Sequence, residues 1–151
     1  MSATHPIPSD EKSLYKLIHD IYVYLDHCDY VNLKKYELTP TQFRLLSLID
    51  STNGKRITTL SGHLLLSKSQ VTRIVDVLEN FGLVQRSIDP LDRRAKHVVL
   101  TESGKVVRDE IIQEHQRSLV DRFSGLDKDE LENLIQLLNT LKRSLKNFLN
   151  R

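Results

Sequence analysis

Apolar residues return along this chain at helical spacing almost from one end to the other. Leu14, Leu17, Ile18, Ile21 and Leu25 share one face between Asp10 and about Leu33, which predicts an amphipathic helix decorated by Tyr15, Tyr22 and Tyr24. In the segment LTPTQFRLLSLID, Thr39 can cap, Pro40 suits the first helical position and Gln42 stands three residues after the cap. These signals predict a second helix from about Pro40 to Asp50. After the loop STNGKR, Thr58 or Thr59 is expected to cap a short third helix through Leu65, with Leu60, Leu64 and Leu65 as its apolar positions. A fourth helix opens at Ser67, with Gln70 completing a capping box. It carries Val71, Ile74, Val75 and Leu78 on one face and ends on Gly82 as a left-handed cap.

The period then changes. Leu83–Ile88 and His97–Leu100 read as two strands, and Thr101 is expected to cap a fifth helix running to about Phe123. A two-stranded ribbon is stable only with helices beneath it. The last helix begins at Asp127, with Glu130 three residues on, and Leu131, Leu134, Leu138, Leu141, Leu145 and Phe148 form a heptad seam. Ile135, Leu137 and Leu149 widen that seam, so one side is expected to pack on its own chain and the other on a second copy. The helix is too short for a free coiled coil, so an intertwined homodimer built with the first and fifth helices is expected. The fold class is mainly α with a small antiparallel β-wing (α+β). Residues 10–36 and 102–151 are assigned to a helical dimerisation region, and residues 37–101 to a winged helix-turn-helix lobe.

Composition adds little until charge is placed along the chain. The 151 residues are 39% hydrophobic and 28% charged, without repeats or low-complexity tracts, and suit a single domain. One cysteine, Cys28, excludes an internal disulfide framework; with no secretory signal or membrane-length apolar run, a cytoplasmic protein is expected. The net charge is only +2, yet residues 55–108 carry 10 basic and 5 acidic side chains, whereas residues 1–54 carry 5 and 7 and residues 109–151 carry 7 and 8. All the positive excess is central, as a local anionic partner would select.

That block contains two features with a common purpose. The exposed N-terminal face of the fourth helix carries Lys68, Ser69, Gln70, Thr72 and Arg73, with no carboxylate before Asp76. As the second helix of a helix-turn-helix it suits a major groove, where Arg and Lys donate to guanine, Gln serves adenine, and Ser or Thr serves bases or phosphates. The strand pair ends in a charged tip, Asp89, Asp92, Arg93, Arg94 and Lys96 around Pro90. A basic loop of this kind can insert an arginine into a minor groove. Pro90 stiffens it, and Asp92 stands two residues before Arg94, close enough to orient its guanidinium.

These residues resemble the multiple-antibiotic-resistance (MarR) family of transcription regulators. The likeness lies in Asp92, one residue, Arg94, five residues, then Leu100–Thr101 followed by Glu102-Ser103-Gly104. The stretches LTPTQFRLLSLI and VTRIVDVLENFGLVQRSIDPLDRR add to it. The resemblance implies a winged-helix homodimer on a pseudo-palindromic duplex operator, and repression relieved by a small aromatic or anionic effector. It casts Arg94 as the wing arginine, Asp92 as its ion-pair partner, and Lys68, Ser69, Gln70, Thr72 and Arg73 as recognition-helix residues. Arg93 and Lys96 are expected to meet phosphates.

Other readings have less in their favour. Some MarR relatives sense oxidants through a cysteine in the first helix, but Asp26 and Asp29 flank Cys28 and disfavour a thiolate. Six histidines include no His-x3-His pair, and only His27–Cys28 sets two soft ligands close together, so no metal or cofactor is expected. No phosphate loop or nucleophile motif is present, and no catalytic residue is assigned. A winged-helix protein-interaction module without DNA binding is the rival from another class; the central positive block stands against it.

Overall fold

The computed structural model describes residues 9–88 and 96–151. The chain clusters into two compact units, Met1–His115 and Gln116–Arg151. Within the first, helix α1 (Ser9–Leu33) is followed by a single 3-10 turn (Lys34–Tyr36) and α2 (Pro40–Leu48). Thr39 caps α2 as its sequence promises: Thr39 Oγ1 accepts from the Gln42 N–H and Gln42 Oε1 accepts from the Thr39 N–H at 2.8 Å. This reciprocal box satisfies two otherwise orphaned donors and contributes about 1 kcal/mol.

Strand β1 (Lys55–Arg56), helices α3 (Ile57–Leu64) and α4 (Lys68–Asn80), and strands β2 (Val84–Ile88) and β3 (Lys96–Leu100) come next. The sheet is antiparallel in the order β1-β3-β2, with Arg56 opposite His97 and Val84 opposite Leu100. β1 is an addition to the two expected strands. Two residues from the loop STNGKR pair with β3, a segment too short to show any alternation. Its presence also moves the start of α3. Arg56 is extended as the end of β1, so the helix begins at Ile57, and neither Thr58 nor Thr59 serves as its cap.

The core lies between this sheet and the helices. Leu45, Leu46 and Ile49 from the α2 segment, Leu60 from α3, Val71, Val75 and Leu78 from α4, and Val84 and Val98 from the strands are all essentially inaccessible. The i, i+4, i+7 spacing of the α4 trio therefore decides which face of that helix is left outward. Helix α5 (Glu102–Arg122) adds Ile111 to the same core. Polar ties join α1 to its neighbours: Asp26 accepts from Arg44 of α2 at 2.5 Å, and Asp29 pairs with His115 of α5 at 3.1 Å.

In the second unit, α6 (Lys128–Leu149) starts from the Asp127–Glu130 capping box read in the sequence. It buries none of its residues within one chain: Leu138, Leu145 and Phe148 are 48%, 55% and 68% exposed. In the first unit, α1 likewise exposes Leu14, Leu17 and Ile21. Among the described residues, no helix is long and apolar enough to cross a membrane.

Candidate nucleic-acid interface

The exposed end of α4 is built by its cap. Ser67 Oγ accepts from the Gln70 N–H at 3.2 Å, while Gln70 Oε1 accepts from the Ser67 N–H and from the Ser67 hydroxyl at 2.9 Å each. The Gln70 carbonyl oxygen is thereby committed, and its amide NH2 is the group left for a partner. Thr72 Oγ–H donates to the Lys68 carbonyl at 2.8 Å, so its hydroxyl is left to a partner only as an acceptor. Ser69 shares a 3.0 Å hydroxyl contact with Ser67. Lys68, Ser69, Gln70 and Arg73 are exposed and Thr72 is half-buried. The structure thus brings all five together on the first turns of one helix, and among the described residues neither Lys68 nor Arg73 enters an ion pair.

Other cations of the central block have different employment. Arg86 on β2 donates through its backbone N–H to Glu79 Oε1 at 3.0 Å, and its guanidinium bonds both Glu79 and Asp76 of α4. The hydrogen bond that this guanidinium donates to Asp76 is the largest influence on it and raises its pKa above the ordinary arginine value. Arg108 of α5 is buried, donating to the Ile49 carbonyl at 2.9 Å, to Ser51 Oγ at 2.8 Å and to Asp109. Lys105 pairs with Glu102 at 2.7 Å. Part of the +5 excess is therefore structural, and the uncommitted cations on α4 stand out against it.

Sequence reading missed Arg86 and Arg108 as parts of the scaffold. One signal was available for Arg86: it stands two residues after Val84 on a strand whose Val84 faces the core, so it shares that side and needs acidic partners there. Arg108 recurs three residues before Ile111 on α5, on the buried stripe.

The strand pair is anchored to α5 by the residues that close its hairpin. Thr101 Oγ–H donates to the Gly82 carbonyl at 2.6 Å and Oγ accepts from the Gly104 N–H at 2.9 Å, while Thr101 N–H bonds the Leu83 carbonyl. Gly82 takes φ 68°, a left-handed turn that lets the chain leave α4 for β2. Gly104 has no room for a side chain: a Cβ there would lie 1.8 Å from the Leu83 carbonyl oxygen. The Leu-Thr-Glu-Ser-Gly sequence is thus a joint, with Leu100 buried, Thr101 capping and Gly104 permitting contact. The hairpin tip, residues 89–95, with Asp92, Arg93 and Arg94, lies outside the described residues; Lys96 opens β3.

Cys28 is half-buried and unbridged. Among the described residues, no three His, Cys, Asp or Glu side chains gather as a metal site.

The MarR family profile matches residues 38–96, which span α2 to the start of β3. The chain is 34% identical over 105 residues to the uncharacterised HTH-type transcriptional regulator YkoM of Bacillus subtilis, covering 70% of this chain and 68% of that one. It is 29% identical over 143 residues to the HTH-type transcriptional regulator MhqR of Bacillus subtilis, with 93% and 99% covered. The fold also superposes on Streptococcus pneumoniae FabT in its complex with DNA, at TM-score 0.79 and 18% identity over 91% of this chain and 99% of that one.

Proposed function

The chain belongs to the MarR family of DNA-binding transcription regulators, and on that premise we propose how it reads its operator. A homodimer lays α4 of each copy in the major groove, so that Lys68, Ser69, Gln70, Thr72 and Arg73 meet bases and phosphates. Arg94 enters the adjacent minor groove, oriented by Asp92, while Arg93 and Lys96 hold phosphates. The observation that carries this reading is the exposed N-terminal face of α4, with Lys68 and Arg73 outside any described ion pair while Arg86 and Arg108 are consumed by the scaffold. FabT, a structural relative, is held in a DNA complex, which supports the same use of this fold.

The exposed apolar residues of α1 and of α6 support the dimer, because a second copy removes them from water; residues 10–36 and 102–151 are its dimerisation region and 37–101 its DNA-binding lobe. The protein acts in the cytoplasm, without catalysis, as a repressor released by a small aromatic or anionic effector, a mode that family membership favours. Binding to duplex DNA measured by fluorescence anisotropy at two salt concentrations tests the reading. Affinity should fall steeply with salt, because bound cations displace condensed counterions, and Arg94→Ala should cost about 1–3 kcal/mol of binding. Salt-independent binding, or full affinity in Arg94→Ala, contradicts it.

A further inference from the structure

The turn between α3 and α4 holds a leucine that contributes nothing to the core. Leu65 is 80% exposed, and its backbone sits at φ 53°, ψ 38°, the left-handed region that a residue with a Cβ disfavours. Both its neighbours, Leu64 and Leu66, pack against the core, which departs from the expectation that Leu65 is one of the apolar positions of α3. The physical reason is that the helix has already ended. Leu65 N–H and Leu66 N–H both bond the Ser61 carbonyl, and Ser61 Oγ–H donates back to the Leu66 carbonyl at 2.5 Å.

These bonds tie down the backbone of the turn, and Leu65 is left exposed on it. Glycine meets such a conformation without steric cost, as Gly82 does at the other end of α4. Leu65 breaks two local preferences at once, a strained backbone and a large apolar side chain held in solvent. Glu37, also left-handed, breaks only the first, because its side chain is polar. Departures of this kind persist where function uses them.

We propose that Leu65 is a DNA-contacting residue, packing its side chain on the apolar surface of the duplex, either a thymine methyl or the face of a deoxyribose. The inference rests on the reading of α4 as the groove helix. Leu65 stands two residues before the cap Ser67 and three before Lys68, so its Cα lies within about 11 Å of that of Lys68. A duplex engaged by Lys68 and Ser69 is within reach of the turn. The thymine methyl is the apolar feature by which the major groove is read, and a pre-set leucine meets it without ordering a loop.

The probe is a duplex that the wild-type protein selects from a random-sequence library. Leu65→Gly should unfold at the same or a higher temperature than the wild type, yet bind the probe about five- to tenfold more weakly. Leu65→Ala, which keeps the Cβ, should weaken binding similarly with no gain in stability. Deoxyuridine in place of thymine removes only methyl groups. If it weakens the wild type but not Leu65→Gly, the contact is with a thymine methyl, and if it affects both equally the contact is with deoxyribose. Unchanged affinity in both leucine variants overturns the proposal. Lys68→Ala and Arg73→Ala on the same probe separate the two readings: if they weaken binding while the leucine variants do not, the Leu65 contact alone falls, and if none of the four does, the assignment of α4 falls with it.

Discussion

Arg86 and Glu79 are bonded twice, once through the Arg86 backbone N–H at 3.0 Å and once through its guanidinium, while the same guanidinium also holds Asp76. A strand of the hairpin is thereby clasped to the C-terminal half of α4, and the side chain is a quarter exposed, so the clasp is only partly screened by water. Arg86→Ala leaves two carboxylates without their shared cation and should lower stability by about 1–2 kcal/mol. Urea unfolding checks this. Arg86→Lys, which keeps the charge but loses the forked geometry, should recover only part of the loss. A midpoint unchanged in both variants would show that the clasp does not hold the strand.

Gly104 meets the Leu83 backbone where no Cβ fits. Gly104→Ala must push the first turn of α5 away from the start of the hairpin, against a contact made by backbone rather than by a yielding side chain. The expected cost is about 2 kcal/mol or more, in spite of the better helix propensity of alanine. Thermal unfolding of the variant measures it, and a melting temperature equal to that of the wild type is the contrary outcome.

Asp50 supplies a dependence on acid. Its carboxylate accepts from the Thr52 hydroxyl at 2.6 Å, from the Thr52 N–H at 2.8 Å and from the Asn53 N–H, and these bonds hold its pKa at about 2, below the ordinary carboxylate value. Because the folded value is the lower one, the stabilisation is present above the unfolded pKa and is lost as pH falls from about 4 through 2. Asp50→Asn lacks this ionisation. The gap in urea midpoint between wild type and variant should therefore narrow across that interval, and a constant gap would refute the assignment.

Much of the architecture was legible because it is local. Capping boxes at Thr39, Ser67 and Asp127 mark three helix starts, and the spacing of Val71, Val75 and Leu78 gives both the existence of α4 and the face it buries. Three features were not legible, two of them because they depend on residues distant in sequence and the third because it turns on how one serine closes a helix end. Lys55 and Arg56 become a strand only by pairing with Val98 and His97. Arg108 finds Ile49 and Ser51 nearly sixty residues earlier in the chain, and its positive charge therefore says nothing about DNA. Leu65 is turned outward because Ser61 terminates α3 one residue sooner than its apolar spacing indicates. In the site, position on the exposed face of α4 followed directly from helical periodicity, whereas the committed oxygen of Gln70 emerged only from the bonding of its cap.

The central claim is that the N-terminal face of α4 is a DNA-binding surface whose charges are uncommitted in the free protein. The most direct test is the salt dependence of binding to a selected duplex, comparing wild type with the Lys68→Ala/Arg73→Ala double variant at equal folded concentration. Each lost phosphate contact reduces the slope of log affinity against log salt by about 1, so the double variant should bind more weakly and with a slope shallower by up to about 2. Identical slopes and affinities in the two proteins would contradict the account.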